Sequence, residues 1–196
     1  LPLLAVDDRV DAALRQRQLV APEGVKATLE LDWYHRGPFA GIDLDYDRQT
    51  YHGYSKIYGI VDTEGEDDFG EHRKNIDAPD NRGRLLERHK QFLPNDWELQ
   101  SELSYICDRN YLEEFFPDEF HAGKDQETLL YAKQQRDNWA LTGLLQYRLN
   151  RFQEQTESAP ELGFHLIGQS LANDKLTAFS DSKAGIKRYR LPNYAD

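Results

Sequence analysis

Polar and apolar residues alternate along two similar segments in the middle of the chain. Residues 97–105 (WELQSELSY) and 139–149 (WALTGLLQYRL) each begin with Trp and place Tyr eight residues later on the same face. This period of two predicts β-strands with one apolar and one polar face. At about 3.4 Å per residue the two rings lie roughly 27 Å apart, and a tilt of about 40° reduces that to about 20 Å. That spacing is similar to the two aromatic girdles of an outer-membrane barrel, so we predict a lipid-facing girdle of Trp97, Tyr105, Trp139 and Tyr147.

The same alternation divides the rest of the chain into about nine strands. Tight turns are predicted near Arg48, Asn95, Asp137 and Asn173, and long connections begin at Asp62, Asp108 and Gln153. The predicted strands are residues 25–33, 40–46, 51–61, 82–93, 97–107, 125–135, 139–152, 163–171 and 175 to about 189. Short turns at one end and long loops at the other are typical of outer-membrane barrels. We therefore predict an all-β, antiparallel up-and-down meander that forms part of a transmembrane β-barrel.

The first residues of the chain differ from the remainder. Residues 1–24 are interpreted as a lead-in or connector that can include a short amphipathic helix, and residues 25–196 as the partial barrel. The chain begins at Leu1 and contains no Met, so we interpret it as a piece of a longer protein. Residues 82–91 are charged on both faces, and residues 126–135 lose their apolar face. Either these strands extend beyond the apolar band, or the barrel interpretation is wrong for them.

The net charge and the absence of known motifs limit the kinds of function that the sequence predicts. A net charge of −11 argues against a general nucleic-acid-binding protein. A single Cys107 excludes an internal disulfide, and neither an HExxH pair, a GxSxG elbow nor a phosphate loop is present. The acidic loop after Asp62 departs from a calcium loop, because Asp67 stands where Gly is needed and Arg73 where Glu is needed. We therefore predict a protein that is not an enzyme, with no cofactor and no metal site.

The polar faces of the predicted strands are the remaining candidate site. Acidic residues spaced along one strand face more often line water or a lumen than form a catalytic pair. We predict that the lumen-facing residues are Asp32, Asp43, Asp45, Glu98, Gln100, Glu102, Gln146 and Arg148.

Residues 106–116 (ICDRNYLEEFF) resemble the outer-membrane lipopolysaccharide-assembly family LptD, also called the organic solvent tolerance family. That family has a segment of the form SDRNYLEEYF after a barrel strand, and Cys107 replaces the Ser here. The resemblance extends to residues 22–24, the acidic loop ending at Gly70, residues 125–131 and residues 150–157.

The resemblance implies a protein of the cell outer membrane that inserts lipopolysaccharide into the outer leaflet. Its partners would be lipopolysaccharide, the lipid bilayer, a plug lipoprotein of the LptE type and a periplasmic bridge protein. The family's lateral gate would lie near residues 25–46 if this segment begins at the first barrel strands. The family's cysteine pairs are missing here, so disulfide-controlled maturation does not carry over. Four basic residues are candidates for phosphate contact: Arg82, Arg84, Arg88 and Lys90.

Two alternatives remain open from the sequence. A porin-like channel could use the same scaffold without handling lipopolysaccharide. A soluble all-β carbohydrate-binding or carbohydrate-active domain could instead use Asp43 and Asp45.

Overall fold

The protein is an all-β meander in the computed structural model, which describes residues 24–70 and 72–193. Nine long strands form one antiparallel sheet in these residues, and each is hydrogen-bonded to the next long strand along the chain. The predicted meander is therefore confirmed. The predicted connector at residues 1–24, with its short helix, lies outside the described residues except for Gly24.

The sheet runs in the order β1 (Val25–Tyr34), β2 (Gly37–Asp47), β3 (Tyr51–Val61), β6 (Asn81–Leu93), β7 (Trp97–Ile106), β8 (Thr128–Arg136), β9 (Trp139–Tyr147), β10 (Gln155–Leu171) and β11 (Leu176–Arg190). The connection from β3 to β6 contains a small hairpin of β4 (Glu66–Asp67) and β5 (Ile76–Asp77). The connection from β7 to β8 contains the helices α1 (Tyr111–Phe115) and α2 (Pro117–His121). No helix in the described residues is long and apolar enough to cross a membrane.

The tight turns fall where the sequence predicts them. Asn95 and Asp96 connect β6 to β7 with φ of 62° and 61°, and Asp137 begins the turn between β8 and β9 with φ of 38°. Asn and Asp tolerate this left-handed conformation better than most other residues, because their short polar side chains bond to the local backbone. Trp97 and Trp139 begin the strands that leave these two turns.

The opposite end of the meander differs from the prediction in two places. β10 begins at Gln155, whereas the sequence predicts a loop over residues 153–161 and a strand from residue 163. Pro160 suggests a loop, but it lies at a register shift between Ser158 and Glu161, where a bulge accommodates a residue that has no N–H. The long connection predicted after residue 107 is present, and it contains α1 and α2, which the sequence pattern does not predict. In the described residues the sheet is open, with β1 and β11 at its edges, so closure into a barrel stays a prediction.

One face of the strands carries exposed apolar side chains. Directly paired residues project to the same face of a sheet, and Leu29 pairs with Ile42, which in turn pairs with Ile57. All three of these side chains are exposed. On β8 and β9, Leu130 pairs with Leu145, and both are exposed. In each part of the sheet we call the face that carries these side chains the apolar face and the opposite one the polar face.

The chain divides into two compact units, which are described separately. The first unit contains residues 24–48, 52–70, 72–87 and 105–125, and the second contains residues 49–51, 88–104 and 126–193. The buried apolar residues of the first unit include Phe39, Tyr58, Ile60 and Tyr111. Phe39 and Tyr58 lie on the polar face, since Phe39 pairs with Ile60 and Tyr58 with Gly41. The core of the first unit therefore lies on the face that carries the charged residues.

Candidate functional site

A buried ion cluster lies on the polar face of the first unit and is centred on Arg82. Its guanidinium contacts Asp67 at 2.7 and 3.1 Å and Asp108 at 2.9 and 3.0 Å. A further contact reaches Asp62 at 3.3 Å. The side chains of Arg82, Asp62 and Asp67 are fully buried. Two bidentate pairs of this kind fix both the position and the plane of the guanidinium.

Arg36, in the turn between β1 and β2, extends the cluster. It donates to Asp62 at 2.7 and 3.0 Å, to Asp67 at 2.9 Å and to the carbonyl of Glu66 at 2.8 Å. A longer contact of 3.4 Å reaches Glu114 of α1. Arg36 and Arg82 therefore share Asp62 and Asp67, and they connect a turn, the β4 hairpin, a strand and a helix.

The helix α1 covers this cluster with aromatic rings. The Phe115 ring centroid lies 5.1 Å from the guanidinium carbon of Arg82, and Tyr111 is fully buried beside it. Phe116 stacks on Tyr58 with 5.2 Å between ring centroids. The connection after β7 therefore lies across the polar face of the first unit.

The cluster and its burial shift the pKa values of two acids, Asp62 and Glu114, in opposite directions. Burial alone would raise the pKa of Asp62, but hydrogen bonds from Arg36, from the backbone of Glu64 and from Arg82 outweigh it and lower that pKa. Burial raises the pKa of Glu114, although the positive charge of Arg36 partly opposes this effect. Because burial outweighs the opposing charges of Arg36 and Arg82, the protonated form of Glu114 is favoured more here than in open water.

A second ion pair holds α2. Arg84 of β6 contacts Glu119 through two hydrogen bonds of 2.7 Å each. The Arg84 side chain is 1% exposed and that of Glu119 is 31% exposed. The Phe116 ring lies 5.2 Å from the guanidinium carbon of Arg84, so residues at or beside α2 cover it on two sides.

Cross-strand ion pairs occupy the polar face of the second unit. Glu98 contacts Lys90 at 3.0 Å and Lys133 at 3.7 Å, and it accepts a hydrogen bond from Gln100. Glu102 contacts Arg88 at 3.0 Å. These charges are half-buried and neutralise one another between strands.

A buried polar network lies beside them. Ser104 donates to Gln126 at 2.7 Å, and Asn150 donates to the carbonyls of Ser104 and Gln126 at 3.2 and 3.4 Å. All three residues are buried. Sequence reasoning missed Gln126 and Asn150 as buried groups, since it placed both within predicted strands, whereas β8 begins at Thr128 and β9 ends at Tyr147.

The predicted lumen-facing residues lie on the polar face where strand pairing defines it. Asp43 pairs with Lys56 and accepts a hydrogen bond from Tyr58, whereas Asp45 is exposed. Asp32 pairs with Phe39, and Gln146 pairs with Leu129. These pairs place Asp32 and Gln146 on the polar face, as the other lumen-facing candidates are. Arg148 lies beyond the end of β9 and donates to the carbonyls of Arg151, Gln153 and Leu191. Their contact with a lumen stays a prediction.

The four candidates for phosphate contact all face carboxylates. Arg82 and Arg84 bind Asp67 and Glu119 in the first unit. Arg88 and Lys90 bind Glu102 and Glu98 in the second. A phosphate at any of these positions would have to displace a carboxylate of the chain itself. Phosphate contact therefore stays a prediction, and at each of these residues a carboxylate of the chain would compete with the phosphate.

The predicted girdle residues belong to the apolar face. Trp97 pairs with Gln134, and Trp139 pairs with Arg136. Trp97, Tyr105 and Tyr147 are exposed, and Trp139 is half-buried. A lipid environment for these rings stays a prediction.

Sequence reasoning missed the acidic half of the ion cluster. Runs of acidic residues usually stay in water, but in the loop after Val61 both Asp62 and Asp67 are buried against arginines. The one signal in the sequence was an arginine, Arg36, placed between two strands beside a glycine. Within the described residues, no group of three His, Cys, Asp or Glu side chains is arranged to hold a metal ion.

Comparison with known protein families found no family model that matches this chain. Comparison with curated proteins also found no matching relative.

Proposed function

We propose that this chain is part of an outer-membrane β-barrel that passes lipopolysaccharide to the cell surface, as its resemblance to the LptD family implies. The observation that carries the proposal is the inverted distribution of side chains in the sheet. Its apolar face is exposed, and its polar face is covered with ion pairs and hydrogen bonds. A β-sheet in water normally has the opposite arrangement.

The exposed apolar side chains are large and lie on several strands. Leu31 is 66% exposed and Trp33 76% on β1, Leu162 is 61% exposed on β10, and Ile186 is 66% exposed on β11. Burying a side chain of this size in an apolar phase is favourable by about 1.5–3 kcal/mol. Soluble monomers rarely expose large contiguous apolar surfaces, so such a surface indicates a membrane or partner contact. The hydrocarbon of a bilayer is the contact that suits strands from both units.

The polar face would accommodate the sugars and phosphates of lipopolysaccharide, while its acyl chains remain in lipid. The chain contains no nucleotide-binding motif, so the energy would come from upstream proteins. A plug lipoprotein and a periplasmic bridge protein are the partners that this role requires. The paired charges of the polar face would limit repulsion of the anionic head group, because many acidic residues already have a basic neighbour.

Site-specific photocrosslinking tests this function. A benzophenone amino acid is placed at Leu31 of β1, in the protein expressed from its own gene in its own cells. Leu162 of β10 is the matched control, since it is also an exposed Leu on a strand and differs little in exposure. We expect lipopolysaccharide adducts at Leu31 in excess of those at Leu162, because the proposed gate lies near residues 25–46.

Three outcomes would contradict the proposal. Equal yields of adducts at Leu31 and Leu162 would contradict a lateral gate near residues 25–46. Absence of adducts, together with ion conductance of the reconstituted protein that does not depend on lipopolysaccharide, would favour a porin-like channel. Solubility without detergent as a monomer would favour a soluble carbohydrate-binding or carbohydrate-active domain.

A further inference from the structure

The connection between β7 and β8 is held on the first unit by two attachments of unequal strength. The helix α1 buries Tyr111 and Leu112, and it lies over the buried Arg82 cluster. The helix α2 buries none of its residues. We call residues 116–124 the α2 strap, and we regard α1 as its anchor.

The α2 strap is fastened mainly through Arg84. Glu119 provides both acceptor oxygens for this guanidinium, and Phe116 stacks between Arg84 and Tyr58. Gly123 follows α2 with φ of 68° and has open space around it. A glycine in this conformation, beside a short helix without buried residues, allows the strap to move while α1 stays in place.

The guanidinium of Arg84 retains an unused donor. Its Nε is buried and has no hydrogen-bond partner, although the two terminal nitrogens both contact Glu119. Nearby, the hydroxyl of Tyr111 is also buried without a partner. A buried donor without an acceptor is unfavourable, because it has given up its hydrogen bonds to water, so Glu119 satisfies this site incompletely.

Phosphate matches this site better than a carboxylate does. A guanidinium binds either anion in a bidentate manner, but a phosphate group has a third oxygen and a greater charge. A phosphate that binds Nε and the neighbouring terminal nitrogen side by side would satisfy the donor that Glu119 leaves without a partner, and its other oxygens would remain for further donors.

We propose that Arg84 is part of a phosphate-binding site that Glu119 occupies from within the chain, so that a phosphate-bearing ligand and the α2 strap compete for one guanidinium. Binding of the ligand opens the strap and exposes the polar face of the first unit beneath Phe116. The site deepens the proposed function and rests on it for the natural source of the phosphate. The competition itself rests on the contacts of Arg84.

Limited digestion with a lysine-specific protease tests the competition in the intact protein. Lys124 is exposed at the end of the strap, and cleavage after it is followed by mass spectrometry in inorganic phosphate or in chloride at equal ionic strength. We expect phosphate to accelerate this cleavage in the wild-type protein. Glu119→Gln should cleave about fivefold faster than wild type in chloride, since a partly exposed ion pair contributes about 1 kcal/mol.

Asp118→Asn is the matched control, because it removes the same charge from an exposed position of the same helix. This variant should cleave at the wild-type rate and keep the phosphate effect. Arg84→Lys keeps the charge but loses the bidentate geometry, so its cleavage should be fast and independent of phosphate. Cleavage after Lys133 of β8 reports whether any variant has lost the fold as a whole.

Two results would overturn the competition. Equal cleavage of Glu119→Gln and Asp118→Asn would show that Glu119 does not fasten the strap. A phosphate effect that persists in Arg84→Lys would place the anion elsewhere. Neither result depends on lipopolysaccharide adducts at Leu31, so failure of this inference and failure of the proposed function are distinguishable.

Discussion

Removal of the Arg82 guanidinium should be among the most destabilising single changes in the first unit. The substitution Arg82→Met keeps most of the aliphatic length of the side chain but removes its charge. Five nitrogen–oxygen contacts of 2.7–3.3 Å to Asp62, Asp67 and Asp108 would be lost. The expected effect therefore comes from the carboxylates left behind rather than from lost packing.

The size of the effect follows from burial. Asp62 and Asp67 have fully buried side chains, and after the substitution Arg36 is their remaining basic neighbour in the cluster. Removing one partner of a buried ion pair costs about 3–5 kcal/mol, because the charge left behind is no longer balanced, and here Arg36 alone would face the two buried carboxylates. We expect the free energy of unfolding to fall by about that amount.

Urea unfolding followed by tryptophan fluorescence measures the change, with Arg136→Met as the control. Arg136 pairs with Asp96 at 3.2 Å, and both side chains are largely exposed, so its loss should cost about 0.2–1 kcal/mol. Asp67→Asn combined with Arg82→Met should be less destabilising than the sum of the two, by about 0.5–3 kcal/mol. A loss below 1 kcal/mol for Arg82→Met, or strict additivity with Asp67→Asn, would refute the buried cluster.

Three further outcomes are expected. Folding lowers the pKa of Asp62, so the ionised Asp62 stabilises the protein above its unfolded pKa of about 3.9. This stabilisation is lost as the pH falls toward the folded pKa. The free energy of unfolding should therefore fall less steeply below about pH 4 in Asp62→Asn than in wild type. Burial and a hydrogen bond to Asp108 raise the pKa of Cys107 to about 12, so iodoacetamide should label it far more slowly in folded than in urea-unfolded protein at pH 8. Leu145→Lys, on the apolar face, should reduce the yield of membrane-inserted protein, because a lipid-facing Lys costs about 2–4 kcal/mol at the bilayer centre and about 0–1 kcal/mol near the interfaces, and Leu145 lies between these depths. Gln100→Lys, on the polar face, should leave the yield unchanged, and equal yields of the two variants would contradict a lipid contact at Leu145.

The strands were predictable because their signals are local. Alternation from Trp97 onward and the left-handed residues Asn95 and Asp96 define β7 and its turn within a short window of sequence. The two helices escaped prediction because each has five residues, which is too short for a helical period to appear. The start of β10 escaped because Pro160 indicates a loop unless a bulge is known to accommodate it.

The ion cluster could not be predicted, because its members are distant in sequence. Arg36 and Asp67 are separated by 31 positions, and Arg82 and Asp108 by 26. Nothing in a local pattern distinguishes the buried Asp67 from its exposed neighbour Asp68, since both belong to the same acidic run. Their difference comes from which side of the β4 hairpin faces the two arginines, and that is a property of tertiary structure.

The polar face also bears on the choice between the proposed function and a soluble domain. In a soluble sheet that buries its apolar face, charged side chains such as Glu102 would point to water and gain little from pairing. Here Glu102 is less exposed than the apolar Leu103 beside it in β7, and it pairs with Arg88. Desolvating a carboxylate while leaving a leucine in water is unfavourable on both counts. The arrangement becomes favourable when an apolar phase covers Leu103. Leu145 also lies on an apolar face, so the membrane-insertion yield of Leu145→Lys tests the same requirement on another strand.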